Sequence, residues 1–375
     1  MKILLTYAST GSGHFKAAQA LYNYLKENCP QINLRLIDIL DKTNSFFRFS
    51  YTKGYSFLVR HLIFLWRLLF WITQFKPFRP VARLIGDILN RLNTNRFARF
   101  LIREDFDFII STHFLPSEIA SNLKRAQKIK SRLVTVITDY GVHPFWISDG
   151  VDIYIVASGF TKRQLLLEGI AEDRVKECGI PIDQKFLRQY DKASLARKLD
   201  LDPGKFTALI MTGSFGLGPL EKIVNALYQD MQVLVVCANN KRLFVRLKKR
   251  GLKDVRVFGL IDNVQELMSI SDIIITKPGG LSISEALNME LVPIFIASIP
   301  GQEECNARLL QRYGVAFIPE DIQDIRNIAL DFKDHQDKLK SVKDNIRIIK
   351  KPNVLGEICH VICQGSAGFS CPGPL

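Results

Sequence analysis

Thr276-Lys277-Pro278-Gly279-Gly280-Leu281-Ser282-Ile283-Ser284-Glu285-Ala286 follows the apolar run Ile273–Thr276. The spacing predicts a strand that ends, a glycine pair, and a helix with hydroxyls in its first turn. Such a loop turns backbone N–H groups and the positive end of a helix dipole toward one place, where a diphosphate fits. Glu285 stands near enough to that terminus to accept two hydrogen bonds from a ribose diol, or serves only as a partner of the helix dipole. Downstream, Pro300-Gly301-Gln302-Glu303-Glu304-Cys305-Asn306 opens a further helix. Its amide and carboxylate suit sugar hydroxyls, or are simply first-turn acids.

The same order of strand, glycine-rich loop and helix recurs outward from this stretch. Thr212-Gly213-Ser214-Phe215-Gly216-Leu217-Gly218 follows the apolar Thr207–Met211 and lacks the Gly-Lys-Ser/Thr ending of a nucleoside-triphosphate-hydrolysing loop. Near the start, Thr10-Gly11-Ser12-Gly13-His14 separates the strand Lys2–Tyr7 from a helix over Phe15–Asn28. Further strands are expected at Asn33–Leu40, Phe106–Thr112, Leu133–Thr138, Ile153–Ala157, Val175–Cys178, Val233–Cys237, Val255–Phe258, Ile294–Ala297 and Val315–Ile318. Helices at Leu220–Tyr228, Leu281–Met289 and Glu303–Tyr313 separate several of them. This alternation is the pattern of parallel sheets with crossover helices, an α/β fold. A length of 375 residues suits two domains. The expected division is 1–185, a polar linker 186–205, 206–350, and a C-terminal tail 351–375 that is frayed from Cys359 onward.

Charge is unevenly placed. Residues 46–103 hold eleven Lys/Arg against one acid, Asp87, and 14 aromatic residues, whereas the rest of the chain has 40 bases and 36 acids. Within the segment, Leu62-Ile63-Phe64-Leu65-Trp66-Arg67-Leu68-Leu69-Phe70-Trp71-Ile72 mixes large apolar groups with a cation. Basic and aromatic residues at helical spacing describe a helix lying in a bilayer interface, with a core helix and a nucleic-acid surface as the competing readings. Arg67 disfavours a spanning helix, and no apolar stretch reaches the ~20 residues a span needs. Seven cysteines without a paired CxxC suit a reducing compartment, and the polar start is unlike a secretory leader. The expected location is the cytoplasm. Cys359, His360, Cys363 and Cys371 match no standard metal site, and the pairs Asp105/Asp107 and Asp200/Asp202 fall at a strand's start and in the linker, so no metal centre is assigned.

Candidate chemistry in the first half rests on histidine. His14 falls at the carboxyl edge of the first strand, where open α/β sheets bind ligands, and a neutral imidazole there can take a proton from a hydroxyl. A capping histidine beside a tight turn is the structural alternative. Thr138-Asp139-Tyr140-Gly141-Val142-His143-Pro144-Phe145-Trp146 ends another strand. Asp139 and His143 can exchange protons, and Trp146 offers a platform for a sugar or glycerol, unless the segment is a plain turn.

Together these segments resemble the bacterial processive diacylglycerol glycosyltransferases and the plant-type monogalactosyldiacylglycerol synthases, the glucosyltransferase branch most closely. Gly-Ser-Gly-His, Thr-Asp-Tyr-x-x-His-x-x-Trp, Val151-Asp152-x-Tyr154, Cys178-Gly179-Ile180-Pro181-Ile182, Asp262-Asn263-Val264-Gln265-Glu266-Leu267-Met268 and the two donor-side motifs agree in order over most of residues 1–320. The resemblance implies a GT-B fold of two Rossmann-like domains facing a cleft. It implies inverting transfer from a UDP-hexose to 1,2-diacylglycerol, on an anionic membrane surface at the cytoplasmic side, with no nucleic-acid partner. His14 and Asp139 would be catalytic, and Gly13, His143 and Trp146 would line the acceptor side. Gly213, Lys277, Gly280, Leu281 and Ser282 would hold uracil or diphosphate, Glu285 the ribose, and Gln302 and Glu303 the hexose. The UDP-sugar would be a substrate, with neither cofactor nor obligatory metal. Ser12 stands where the family usually has glycine, and Ser214 and Phe215 where its loop is richer in glycine. A UDP-sugar epimerase, a UDP-N-acetylhexosamine:lipid-pyrophosphate transferase and a non-enzymatic nucleotide-sugar-sensing membrane scaffold are the alternative functions.

Overall fold

The computed structural model describes residues 1–54, 57–58, 61–214, 216, 218–296 and 300–364. Sequence expectations that touch Tyr55, Ser56, Val59, Arg60, Phe215, Leu217, Ala297 and Cys371 lie outside the described residues. Two units divide the chain: Met1–Asp183 with Ile299–Gln302 and Asn353–Leu375, and Gln184–Ser298 with Glu303–Pro352.

The first unit is built on β1 (Lys2–Tyr7), β2 (Asn33–Asp38), β3 (Phe108–Ser111), β4 (Arg132–Val136), β5 (Ile153–Ile155) and β6 (Val175–Lys176). They form one sheet in the order β2-β1-β3-β4-β5-β6. Every pairing is parallel, with Lys2 opposite Asn33 and Ile3 opposite Phe108. Ile3, Leu4 and Leu5 are all buried, so consecutive side chains on β1 are covered on both faces. A parallel sheet with helices on each side needs such an unbroken apolar run rather than an alternating one. Each of these side chains contributes roughly 1.5–3 kcal/mol by leaving water.

The second unit holds β7 (Thr207–Met211), β8 (Gln232–Val236), β9 (Val255–Phe258), β10 (Ile273–Thr276) and β11 (Val292–Phe295). Its parallel sheet runs β11-β10-β7-β8-β9. Both sheets change direction of growth beside their first strand, between β1 and β3 in one and between β7 and β10 in the other. At such a switch point adjacent loops leave in opposite directions and open a crevice at the carboxyl ends of the strands.

Three expectations are corrected by the fold. Residues 186–205 are not a bare linker. A 3₁₀ turn, Gln184–Leu187, and a helix, Lys192–Lys198, belong to the second unit. Asp191 caps that helix through Ser194 N–H at 3.1 Å, and Arg256 Nε donates to Leu199 O at 2.7 Å. The tail is not frayed over its described part. Val354–Gln364 is a helix whose Val354, Leu355, Ile358 and Ile362 are buried, and it packs in the first unit against the helix Ser12–Asn28. Cys359 and Cys363 are buried on the same helix. Finally, Val315–Ile318 does not extend the sheet as a strand; Phe317 makes an isolated parallel bridge to Ile294.

The basic segment forms helices Ile63–Gln74 and Arg79–Asn93. No residue of the first is buried. On the second, Val81, Leu84, Ile85, Ile88, Leu89 and Leu92 recur at helical spacing, and all are exposed. Phe64 is 79% exposed and Leu92 69%. This reverses the usual placement of an apolar helical face. No helix among the described residues is long and apolar enough to cross a membrane.

Candidate active site

His14 lies in the first turn of the helix Ser12–Asn28, which follows β1 at the switch point. Its Nδ1 sits 2.7 Å from Thr112 O and 2.9 Å from Thr138 Oγ1. A carbonyl oxygen accepts and cannot donate, so Nδ1 carries the proton and the Nε2 lone pair is left to act as a base. Thr112 also donates its hydroxyl to His14 O at 2.8 Å, which ties the residue to the β3 edge from both ends. Burial pushes the His14 pKa down to about 4, partly opposed by the Thr112 carbonyl bond. The imidazole is therefore neutral at physiological pH. Gly13 precedes it in the helix and is half-buried, and no side chain caps the helix start at Gly11. Asp139 is half-buried one residue beyond Thr138, the His14 contact.

His143 and Trp146 differ from their expected part. His143 Nδ1 accepts from Phe145 N–H at 3.3 Å, so its proton is on Nε2. That Nε2–H points to Thr73 Oγ1 at 3.1 Å, and the Phe70 ring lies 4.6 Å away. The residue thus fastens the helix Ile63–Gln74 to the first unit. Burial pushes its pKa to about 4, helped by the Arg79 charge. Trp146 is 1% exposed and packs with Ile137, Val151, Tyr154 and Leu165. It is a core wall, 6.2 Å from the His14 ring, rather than an open platform. Its indole is too large and apolar to leave in water when β4 and β5 offer a pocket.

His113, which belongs to none of the motifs above, stands beside His14. It is 2% exposed, with its ring edge-on to His14 at 4.7 Å between centroids. Its place in Ser111-Thr112-His113, at the end of the strand beside β1, was the available signal.

These protonation states make a stability prediction. Folded, His14 and His143 stay neutral down to about 4, whereas the ordinary histidine value is 6.5. Between those values the unfolded chain binds more protons, so their contribution is complete above pH 6.5 and is lost as pH falls toward 4. For buried His143 alone the loss between pH 7 and pH 5 is about 2 kcal/mol. Urea unfolding at the two pH values checks it, and H143F should show a correspondingly smaller difference.

In the second unit the loop after β7 has Gly213, Gly216 and Gly218 at φ of 74°, 56° and 116°. A Cβ on Gly216 would come within 2.1 Å of Cys237 O, so this position admits only glycine. Asn239 Nδ2 holds Ser214 O at 2.8 Å and Asn240 Nδ2 holds Gly216 O at 3.1 Å, stitching the loop to the end of β8. Across the same switch point, Lys277 leads into the helix Gly280–Asn288, whose N-terminus has no side-chain cap. The N–H groups of Gly280, Leu281 and Ser282 lie in the first turn, where an α-helix offers its backbone donors no intrahelical partner. Glu285 is 4% exposed one turn further in. The helix Gln302–Arg312 carries half-buried Gln302 and Glu303 at its start, and its Asn306 donates to Pro278 O at 3.1 Å.

Two parallel α/β units, each with glycine loops at its switch point, define the GT-B class of glycosyltransferase fold. Residues 14–182 match the family model for monogalactosyldiacylglycerol (MGDG) synthase, and 208–343 that for the glycosyltransferase family 28 C-terminal domain. The processive diacylglycerol beta-glucosyltransferase of Staphylococcus haemolyticus is 30% identical over 364 residues, covering 92% of this chain and 88% of the relative. The chain belongs to this family of processive diacylglycerol glycosyltransferases and monogalactosyldiacylglycerol synthases. Among solved structures, Acinetobacter baumannii MurG superposes with a TM-score of 0.59 at 14% identity, over 97% of this chain and 99% of that one. A Listeria monocytogenes protein described as a putative UDP-N-acetylglucosamine 2-epimerase gives 0.60 at 12%, over 100% and 99%. Fold alone therefore does not choose the reaction.

Proposed function

We propose that the chain is an inverting glycosyltransferase that moves glucose or galactose from a UDP-sugar to the 3-hydroxyl of 1,2-diacylglycerol, as a peripheral protein on the cytoplasmic face of a membrane. The observation that carries this reading is the fixed tautomer of His14: a neutral imidazole with Nδ1–H on a carbonyl and a basic Nε2 at a switch point. The acceptor oxygen forms a bond to the anomeric carbon from the face opposite UDP. Its proton passes to His14 Nε2, the bond from the anomeric carbon to the phosphate oxygen breaks, and UDP leaves. An α-linked donor then gives a β-glycoside. Asp139 assists the base, and Gly13 belongs to the acceptor side.

The second unit supplies the donor cradle. Negative charge on the departing diphosphate meets the uncapped N–H groups of Gly280, Leu281 and Ser282 and the Lys277 ammonium, so this reading requires no metal or cofactor. Gly213 borders the nucleotide, Glu285 takes the ribose diol, and Gln302 and Glu303 read the hexose hydroxyls. Glu285→Ala is expected to raise the KM for UDP-sugar about 10- to 100-fold, since a buried charge-assisted pair is lost, and to leave the KM for lipid unchanged. An equal rise in both would show that Glu285 only supports the fold.

Membrane contact rests on the exposed apolar and basic helices. Parallel assays with UDP-glucose and UDP-galactose, the anomeric proton coupling of the product being read by NMR, decide both the sugar and the stereochemistry. A product that retains the donor's configuration would overturn the inverting mechanism.

A further inference from the structure

The geometry points to His113 as a positioning residue that holds the His14 imidazole in its base-competent orientation; this rests on the transferase reading. His113 N-caps the helix Phe114–Arg125, with its Nδ1 accepting from Leu115 N–H at 3.1 Å. Its own tautomer is therefore fixed with the proton on Nε2. The ring cannot swing away: Phe114 lies 4.3 Å from it, Tyr51 6.1 Å and Trp146 6.4 Å, and the residue is buried. Against this fixed wall the His14 ring sits edge-on at 75°.

The backbone closes the arrangement. Ser111 Oγ donates to His113 O at 2.6 Å, and Thr112 both gives a bond to His14 and takes one from it. The turn after β3 thus presents two things to His14, an acceptor for Nδ1–H and an aromatic ring beside the imidazole. Without the ring, His14 is free to rotate about χ2 and to lose its contact with Thr112 O. Nε2 would then point away from the acceptor hydroxyl for part of the time. A reacting group misplaced by an ångström costs on the order of 100-fold in rate.

Two substitutions separate the ring from the cap. In His113→Asn the side-chain oxygen still caps the helix, but the ring is gone. In His113→Phe the ring stays and the cap is lost. Expected for H113N are near-normal thermal stability, unchanged KM for UDP-sugar and a kcat lower by about 10- to 100-fold. Expected for H113F are a lower Tm and a kcat within about threefold of wild type, because ring packing is kept. Histidine ¹⁵N NMR gives a readout independent of turnover: the His14 Nδ1–H tautomer seen in wild type should give way to mixed tautomers in H113N. The proposal is overturned if H113N keeps both wild-type kcat and the Nδ1–H signal, or if folded H113F is as slow as H113N. Should wild type itself transfer no sugar, the transferase reading fails, while the NMR comparison still decides whether His113 orients His14.

Discussion

Alanine at position 14 is expected to lower kcat by about 10²- to 10⁴-fold, the span that general-base catalysis supplies. The affinity for UDP should not change, because the nucleotide cradle is built from other residues on another sheet. The reason for so large an effect lies in the Thr112 and Thr138 contacts, which leave Nε2 as the basic nitrogen. No other imidazole in the site can replace it, since His143 is occupied by Thr73 and Phe145 N–H, and His113 has its Nδ1 lone pair on Leu115 N–H. The acid limb of kcat/KM should consequently lie near the folded value of about 4, well below that of a free histidine. Calorimetric UDP titration beside the kinetic assay checks that the loss is chemical. An H14A variant with near-normal turnover would remove the base from the mechanism.

Equally large is the expected loss of membrane binding when the outward apolar face is made polar. The helices Ile63–Gln74 and Arg79–Asn93 have 12 and 15 residues. At 1.5 Å per residue they span about 18 and 22 Å, short of a hydrocarbon core of about 30 Å. Lying flat, such helices would bury the exposed Phe64, Trp71, Leu84 and Leu92 in the interface, with Arg91 and the intervening Lys76 suited to anionic headgroups. Changing those four apolar residues to serine removes roughly 1 kcal/mol or more each, which multiplies to a loss in affinity on the order of 10³-fold. Flotation with phosphatidylglycerol vesicles measures it, and wild-type binding should weaken with salt because part of it is ionic. A quadruple variant that floats like wild type would show that this face serves another purpose.

Much of this was legible in the sequence because period and punctuation agreed. Apolar-rich runs such as Lys2–Tyr7, with Ile3-Leu4-Leu5 at its centre, and Ile273–Thr276, each followed by glycines and a helix, mark parallel strands, and both became interior strands. What stayed hidden depended on tertiary contact. The charged stretch around Asp191 looked like a connector because its helix buries little and is held by a capping carboxylate and by Arg256, a residue far away in sequence. The Val354–Gln364 helix was masked by its proline- and glycine-rich sequel. His113 carries no motif, and its value arises only when β3 is laid beside β1. Trp146 departs from expectation for a related reason: aromatic character is visible in a sequence, but the pocket that buries it is not.

The reaction expected of this chain joins an activated hexose to a membrane alcohol. Its most direct test supplies wild-type protein with hexose-labelled UDP-sugar and anionic vesicles with and without diacylglycerol, followed by extraction into organic solvent. Label in a lipid product that appears only with diacylglycerol, and that H14A fails to make, is the predicted result. Label that stays entirely in the water phase, as intact or isomerised nucleotide-sugar or as free hexose, would contradict it.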